Sequence, residues 1–187
     1  MTTATATLPT AGTWLVDASH SSIEAIAKHL VVSKVRGRFT QFEGTIVVAD
    51  QLENSTVDVT IQAASIDTND EQRDGHLRGD DFLDVENHPT LTFRSSSVKD
   101  AGGGEYVIPG ELTIRGVTRP VELEVTYLGI IKDPWGNDKA GFSATTTIDR
   151  EAFGITWNAA LETGGVLVGK TLKVEIDLQL AQAPAEA

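Results

Sequence analysis

Segment after segment of this chain alternates apolar and polar residues with a period of two, the pattern of a half-buried β-strand. From Ser22 to Val31, the residues Ile23, Ala25, Ala27, His29 and Val31 fall on one face, against Glu24 and Lys28 on the other. Phe42, Gly44, Ile46 and Val48 oppose Glu43 and Thr45, and Val57, Val59, Ile61 and Ala63 oppose Asp58, Thr60 and Gln62. Leu91 and Phe93, Tyr106 and Ile108, Leu112 and Ile114, and Val121 through Tyr127 continue the pattern. Ala140, Phe142, Ala144 and Ile148 oppose Gly141, Ser143 and Thr145. Leu172, Val174, Ile176, Leu178 and Leu180 oppose Lys173, Glu175, Asp177 and Gln179. About eight long strands, punctuated by turns such as Gly102-Gly103-Gly104 and Asp133-Pro134-Trp135-Gly136-Asn137, predict an all-β antiparallel barrel or sandwich. Short helical turns are expected only within 68–82 and 149–153, the latter with Asp149 as N-cap.

The 187 residues fit one domain over 13–181, between a disordered tail at 1–12 and a second at 182–187. A formal net charge of −12 repels phosphate backbones and anionic leaflets, so neither nucleic acid nor tight peripheral membrane binding is expected, and no stable membrane insertion. The chain has no cysteine, which removes disulfides, thiolate catalysis and Cys-ligated metal. The Thr/Ala-rich start has no basic, apolar leader pattern, and no apolar run approaches the roughly 20 residues of a membrane helix. A cytoplasmic location is therefore expected.

A barrel of about eight strands has room inside for packed side chains or one slender ligand. Ala25, Ala27, Ala63, Ala140 and Ala144 are small for inward positions. Either they leave an apolar void, or they face Phe42, Phe93 and Phe142 and the core is filled; periodicity alone leaves both readings open. The charged stretch from Asp74 to Val85 interrupts the strands and carries Phe82, Leu83 and Val85, apolar residues that a solvated loop does not need. Such a loop over a β scaffold commonly marks the mouth of a site. His20, His29, His76 and His88 show no zinc spacing, and there is no Gly-x-Ser-x-Gly elbow, so no metal and no catalytic residue are assigned. Some of the scattered arginines, Arg36, Arg38, Arg73, Arg78, Arg94 and Arg115, are expected to pair with the loop aspartates and fix the loop's conformation.

Several segments together resemble one family. They are Trp14–Ser21, His29–Phe39, Ser65-Ile66-Asp67-Thr68 with Arg73–Arg78, Asp81–Val85 with His88-Pro89-Thr90, Gly110–Val121, and Phe153–Asn158. In this order they resemble the YceI-like family of polyisoprenoid-binding, lipocalin-like domains, over roughly 13–180. The resemblance implies an extended eight-stranded antiparallel barrel, closed at one end, with short helical turns at the mouth. It also implies an elongated apolar tunnel for a polyisoprenoid, an isoprenoid quinone or a fatty-acid-like lipid, with no cofactor. It points to a binding or carrier protein, not an enzyme, and dimers are common in the family, so a homodimer is an open partner. Tunnel contacts are expected from Ile23, Ala25, Ala27, Phe39, Phe42, Ile61, Phe82, Phe93, Leu112, Ile114, Phe142, Phe153 and Trp157. Head-group contacts are expected from His29, Asp74, His76 and Arg78. Ala25 and Ala27 stand where the family is typically bulkier, which widens the tunnel or shifts its ligand. The rival readings are an enzyme of lipid metabolism using Asp74 and His76 as acid–base partners, and a structural or stress protein with a filled core.

Overall fold

The computed structural model describes residues 8–184. The strands are β1 (Gly12–Val16), β2 (Ser22–His29), β3 (Ser33–Phe39), β4 (Phe42–Val48), β5 (Thr56–Gln62), β6 (Ile66–Asp67), β7 (Thr90–Ser95), β8 (Lys99–Gly102), β9 (Glu105–Ile114), β10 (Val117–Lys132), β11 (Asp138–Asp149) and β12 (Val168–Gln182). One helix, α1 (Glu71–Arg78), lies between β6 and β7.

The early strands pair as halves of longer, bent ones. β12 pairs with β1 at Leu180–Gln182 and with β2 at Val168–Asp177, so β1 and β2 form one bent stave. β3 and β4 form the next, pairing with β2 and β1. β5 and β6 follow against β4 and β3, and β7 and β8 both pair with β9. β10, β11 and β12 continue the meander, and β12 returns to β1 and β2. The result is a closed, antiparallel barrel of eight staves, in which closure satisfies the sheet edges.

The first bend has a local cause. Between β1 and β2, Asp17 accepts hydrogen bonds from the Ser19 backbone N–H at 3.2 Å and hydroxyl at 2.6 Å. It also meets His20 Nδ1 at 3.0 Å and accepts from Gln179 Nε2 at 3.1 Å. These bonds, Ser19 foremost, outweigh burial and lower the Asp17 carboxyl from 3.8 to about 2. A folded value below the unfolded one stabilises the fold above about pH 4, and that contribution is lost as pH falls toward 2. Asp17→Asn is accordingly expected to flatten the acid limb of stability; urea midpoints measured across that window check it.

Two interior contacts require glycine. In β9, a Cβ on Gly110 would lie 2.5 Å from Phe93 Cζ and 2.6 Å from the Arg94 carbonyl. In β4, a Cβ on Gly44 would meet Val16 Cγ2 at 2.7 Å. Gly110→Ala must shift backbone as well as ring, and should cost about 1–3 kcal/mol in urea denaturation.

The ends of the domain differ from the sequence expectation. Residues 1–7 and 185–187 lie outside the described residues, but Leu8 to Ala11 are placed against the barrel. Pro9 is buried, and the Thr10 carbonyl accepts from the fully buried Trp14 indole at 2.9 Å. β12 runs to Gln182, one residue past the expected boundary. A Thr/Ala-rich composition reads as tail; the docking comes from the buried Trp14 N–H, which needs an acceptor, from Gln182 Nε2 donating to the Thr10 hydroxyl at 3.3 Å, and from burial of Pro9. Val31 also departs from its expected inward position. It sits at the β2–β3 turn with φ +65° and is 76% exposed, because alternation ends where the chain reverses.

Candidate functional site

The inward rows of the barrel do not meet. They enclose a cavity of about 960 Å³ that runs from one end of the barrel to the other. For scale, an engineered apolar cavity of about 150 Å³ already stays dry and takes a small aromatic ligand. Its wall is formed by Ile23, Ala25, Ala27, Phe39, Phe42, Ile61, Phe93, Leu112, Ile114 and Phe142, with Val16, Val59, Val125, Ala144, Ile148, Val174, Ile176 and Leu180 among their neighbours. The large side chains therefore line the space and do not fill it. Ala25 pairs with Gly37 on β3 and Val174 on β12, and Ile66 and Thr68 pack over Gly37.

The two ends are chemically different. Leu8, Pro9, Leu52, Ser55 and Val98 bound the end where β1 begins, and all but Ser55 are apolar. Lys28, His29, Asp70, Gln72, Arg73, Leu167 and Val168 bound the opposite end. Helix α1 and the turns after it cover this second end, with Leu77, Phe82 and Leu83 turned to the cavity. The helix starts where Asp70 accepts the Arg73 N–H at 2.9 Å.

This covering segment is held by its backbone carbonyls. Arg78 donates to the carbonyls of Ala64 and Ile66 at 2.8 and 2.9 Å. Arg73 donates to the Thr68 carbonyl and hydroxyl, and Arg115 to the Phe82 carbonyl at 3.1 Å. The expected pairing of these arginines with loop aspartates is not what forms; a planar guanidinium spans two carbonyls where a loop has no regular ladder.

Three of the expected contact residues stand off the wall. Asp74 is buried and accepts from the Thr68 N–H at 2.9 Å and hydroxyl at 2.5 Å, tying α1 to the chain before it. Arg78 is turned to Ala64 and Ile66, as above, and Phe153 is packed into the core behind the wall. A carboxylate inside a helix takes the nearest unpaired donor, which here is Thr68. His76, His29 and Trp157 do line the cavity. His76 packs edge-on against Phe82 and Trp157, with ring centroids 5.0 and 4.7 Å away. Its Nε2 meets Asp81 at 2.8 Å, so the acid beside it is Asp81 and not Asp74.

Sequence reasoning missed Arg150. Only 2% exposed, it donates to the carbonyls of Ile155 and Trp157 at 2.9 Å and of Gly169 at 3.0 Å. Burial pushes its pKa down, against the opposing charges of Glu151 and Asp149. It lines the cavity and clamps the loop after β11. Asn158 helps, bonding both the N–H and the carbonyl of Val168 at 3.0 and 2.7 Å. The only sequence signal was its place after the Asp149 N-cap. Among the described residues no cluster of His, Asp or Glu is arranged to hold a metal, and no helix is long and apolar enough to cross a membrane.

A closed up-and-down barrel with an apolar interior defines a lipocalin-like protein. More narrowly, the YceI-like domain model matches residues 14–180, and the chain belongs to that family. A UPF0312 protein of Staphylococcus aureus (strain USA300) is 40% identical over 168 residues, covering 88% of this chain and 95% of the relative. The crystal structure of Burkholderia cenocepacia BcnA superposes with a TM-score of 0.75 at 25% identity, over 88% of this chain and 98% of that one. A polyisoprenoid binding domain from Saccharophagus degradans gives a TM-score of 0.70 at 14% identity, over 91% and 98%, and is similar in fold.

Proposed function

We propose that this protein is a non-enzymatic carrier that holds one long, slender apolar lipid inside the barrel. The ligand class is a polyisoprenoid, an isoprenoid quinone or a fatty-acid-like chain. One observation carries the reading: an end-to-end cavity of about 960 Å³ with an apolar wall and its polar side chains concentrated at one end. Binding of this kind needs few directed contacts, since each buried methylene contributes about 0.8 kcal/mol. The polar end then receives the head group, with His29, His76, Lys28 and Arg73 among its neighbours. That the Saccharophagus degradans neighbour is described as polyisoprenoid binding agrees with the reading, although its 14% identity supports the fold alone.

The test is reloading. Protein stripped of lipid under denaturant and refolded should melt higher when a long polyprenol, an isoprenoid quinone or a fatty amide is added. Ligand at a hundredfold excess over Kd adds about 2.7 kcal/mol, and hence roughly 5–10 °C in a domain of this size. A melting point unmoved by all three would defeat the proposal.

A further inference from the structure

The β2–β3 turn is unusual in three ways. Leu30 and Val31 both adopt left-handed backbone, at φ +52° and +65°, although neither is Gly, Asn or Asp. A β-branched residue there is a strained choice, and such strain is typically kept for function. The turn is also apolar and bare, with Val32 87% exposed beside Leu30 and Val31. Finally, Lys28 and Lys34 stand directly opposite each other just behind it, with no carboxylate partner among the described residues. Like charges facing across a ladder are destabilising unless something anionic meets them.

The turn is part of the cavity's polar end. Leu30 N–H donates to the Leu167 carbonyl at 3.0 Å, which brings in the exposed Val166. Lys28, His29 and Leu167 belong to the cavity wall. The acids of the same end include Asp70 and Glu71 at the start of α1, Asp80, Asp81, Asp84 and Glu86 in the turns after it, Asp149 and Glu151 where β11 ends, and Glu162 in the loop before Val166. Asp70 caps the helix, Asp81 meets His76, and Asp149 and Glu151 hold Lys170, so none of these is paired with Lys28 or Lys34. A second bare apolar set, Leu128, Ile131 and Trp135, lies at the other end of the barrel. There Lys132 is already paired with Asp138, and none of the three lines the cavity.

We infer that the Leu30–Val32 turn, with Val166 and the Lys28–Lys34 pair, docks the cavity's polar end on an anionic phospholipid bilayer. The apolar tip enters the interface and the two ammonium groups meet lipid phosphates. The chain's net charge of −12 opposes this approach at long range, so docking depends on the local Lys28–Lys34 pair and the apolar tip. The inference builds on the carrier reading for its purpose, lipid exchange, but its test does not depend on any lipid in the barrel.

The full chain is sedimented with vesicles of phosphatidylcholine, with and without phosphatidylglycerol. Wild type should pellet with the anionic vesicles and much less with the neutral ones. Lys28→Gln with Lys34→Gln should weaken partitioning roughly fivefold per lysine, the effect of about 1 kcal/mol for each basic side chain at an anionic surface. Leu30→Asn with Val31→Gly supplies residues suited to positive φ, so its melting point should hold or rise while pelleting is lost. Wild type that stays in the supernatant overturns the inference, as does equal pelleting with neutral vesicles or an unaltered tip variant. So does a dimer that the tip variant splits in the absence of vesicle binding, since the occupant would then be a second copy. Lipid found in the barrel, or missing from it, bears on the carrier reading and leaves these outcomes unchanged.

Discussion

Ala25→Phe is expected to abolish retention of a long-chain lipid while the barrel still folds. Ala25 faces the cavity between Gly37 and Val174. A benzyl group there projects into open space, so the usual overpacking cost of about 1–3 kcal/mol is at its low end. The ligand has no such freedom. A chain that must stop at residue 25 loses the far part of the barrel, at about 0.8 kcal/mol per methylene. Four methylenes displaced give about 3 kcal/mol, roughly two orders of magnitude in affinity. Titration of refolded, lipid-free protein with a polyprenol checks this, with the melting point of unliganded protein as the fold control. Unchanged affinity would mean that the lipid does not run past Ala25.

The largest stability effect is expected at Arg150. Its guanidinium serves the carbonyls of Ile155 and Trp157, in a loop without a regular ladder, and of Gly169 at the start of β12. Arg150→Met keeps the apolar stem and removes every donor. Each buried carbonyl left without a partner costs about 1–3 kcal/mol. After partial relaxation the total should be about 3–5 kcal/mol, a fall of roughly 10 °C in Tm. Arg150→Lys should recover little, because one ammonium cannot reach carbonyls on both sides of the loop as a planar fork does. A melting point within a degree or two of wild type would show that the loop is held by Asn158 and packing instead.

The strands were legible because a barrel wall has two faces with different solvents, and every stave writes that difference into alternate residues. The same rule placed Ile23, Ala25 and Ala27 inward, and each lines the cavity. Alternation carries no information on where a strand stops, so it placed Val31 inward although the turn begins at Leu30. Nor could it say whether the phenylalanines fill the interior or line it; that depends on barrel radius, which no single segment encodes. Polar residues were read least well. Asp74, Arg78 and Arg150 each serve backbone groups of residues whose position only the closed fold fixes, and the sequence shows no partner for them. Leu8 and Pro9, at one end of the cavity, lay hidden in a segment whose composition resembles a tail.

The most direct measurement of the carrier reading is mass spectrometry of an organic extract from the purified, folded protein, beside native spectra of the same sample. The account predicts a stoichiometric prenyl or long acyl species that leaves when the barrel is unfolded. An empty extract from folded protein, with no gain in melting point on adding any of the three lipid classes, would contradict it.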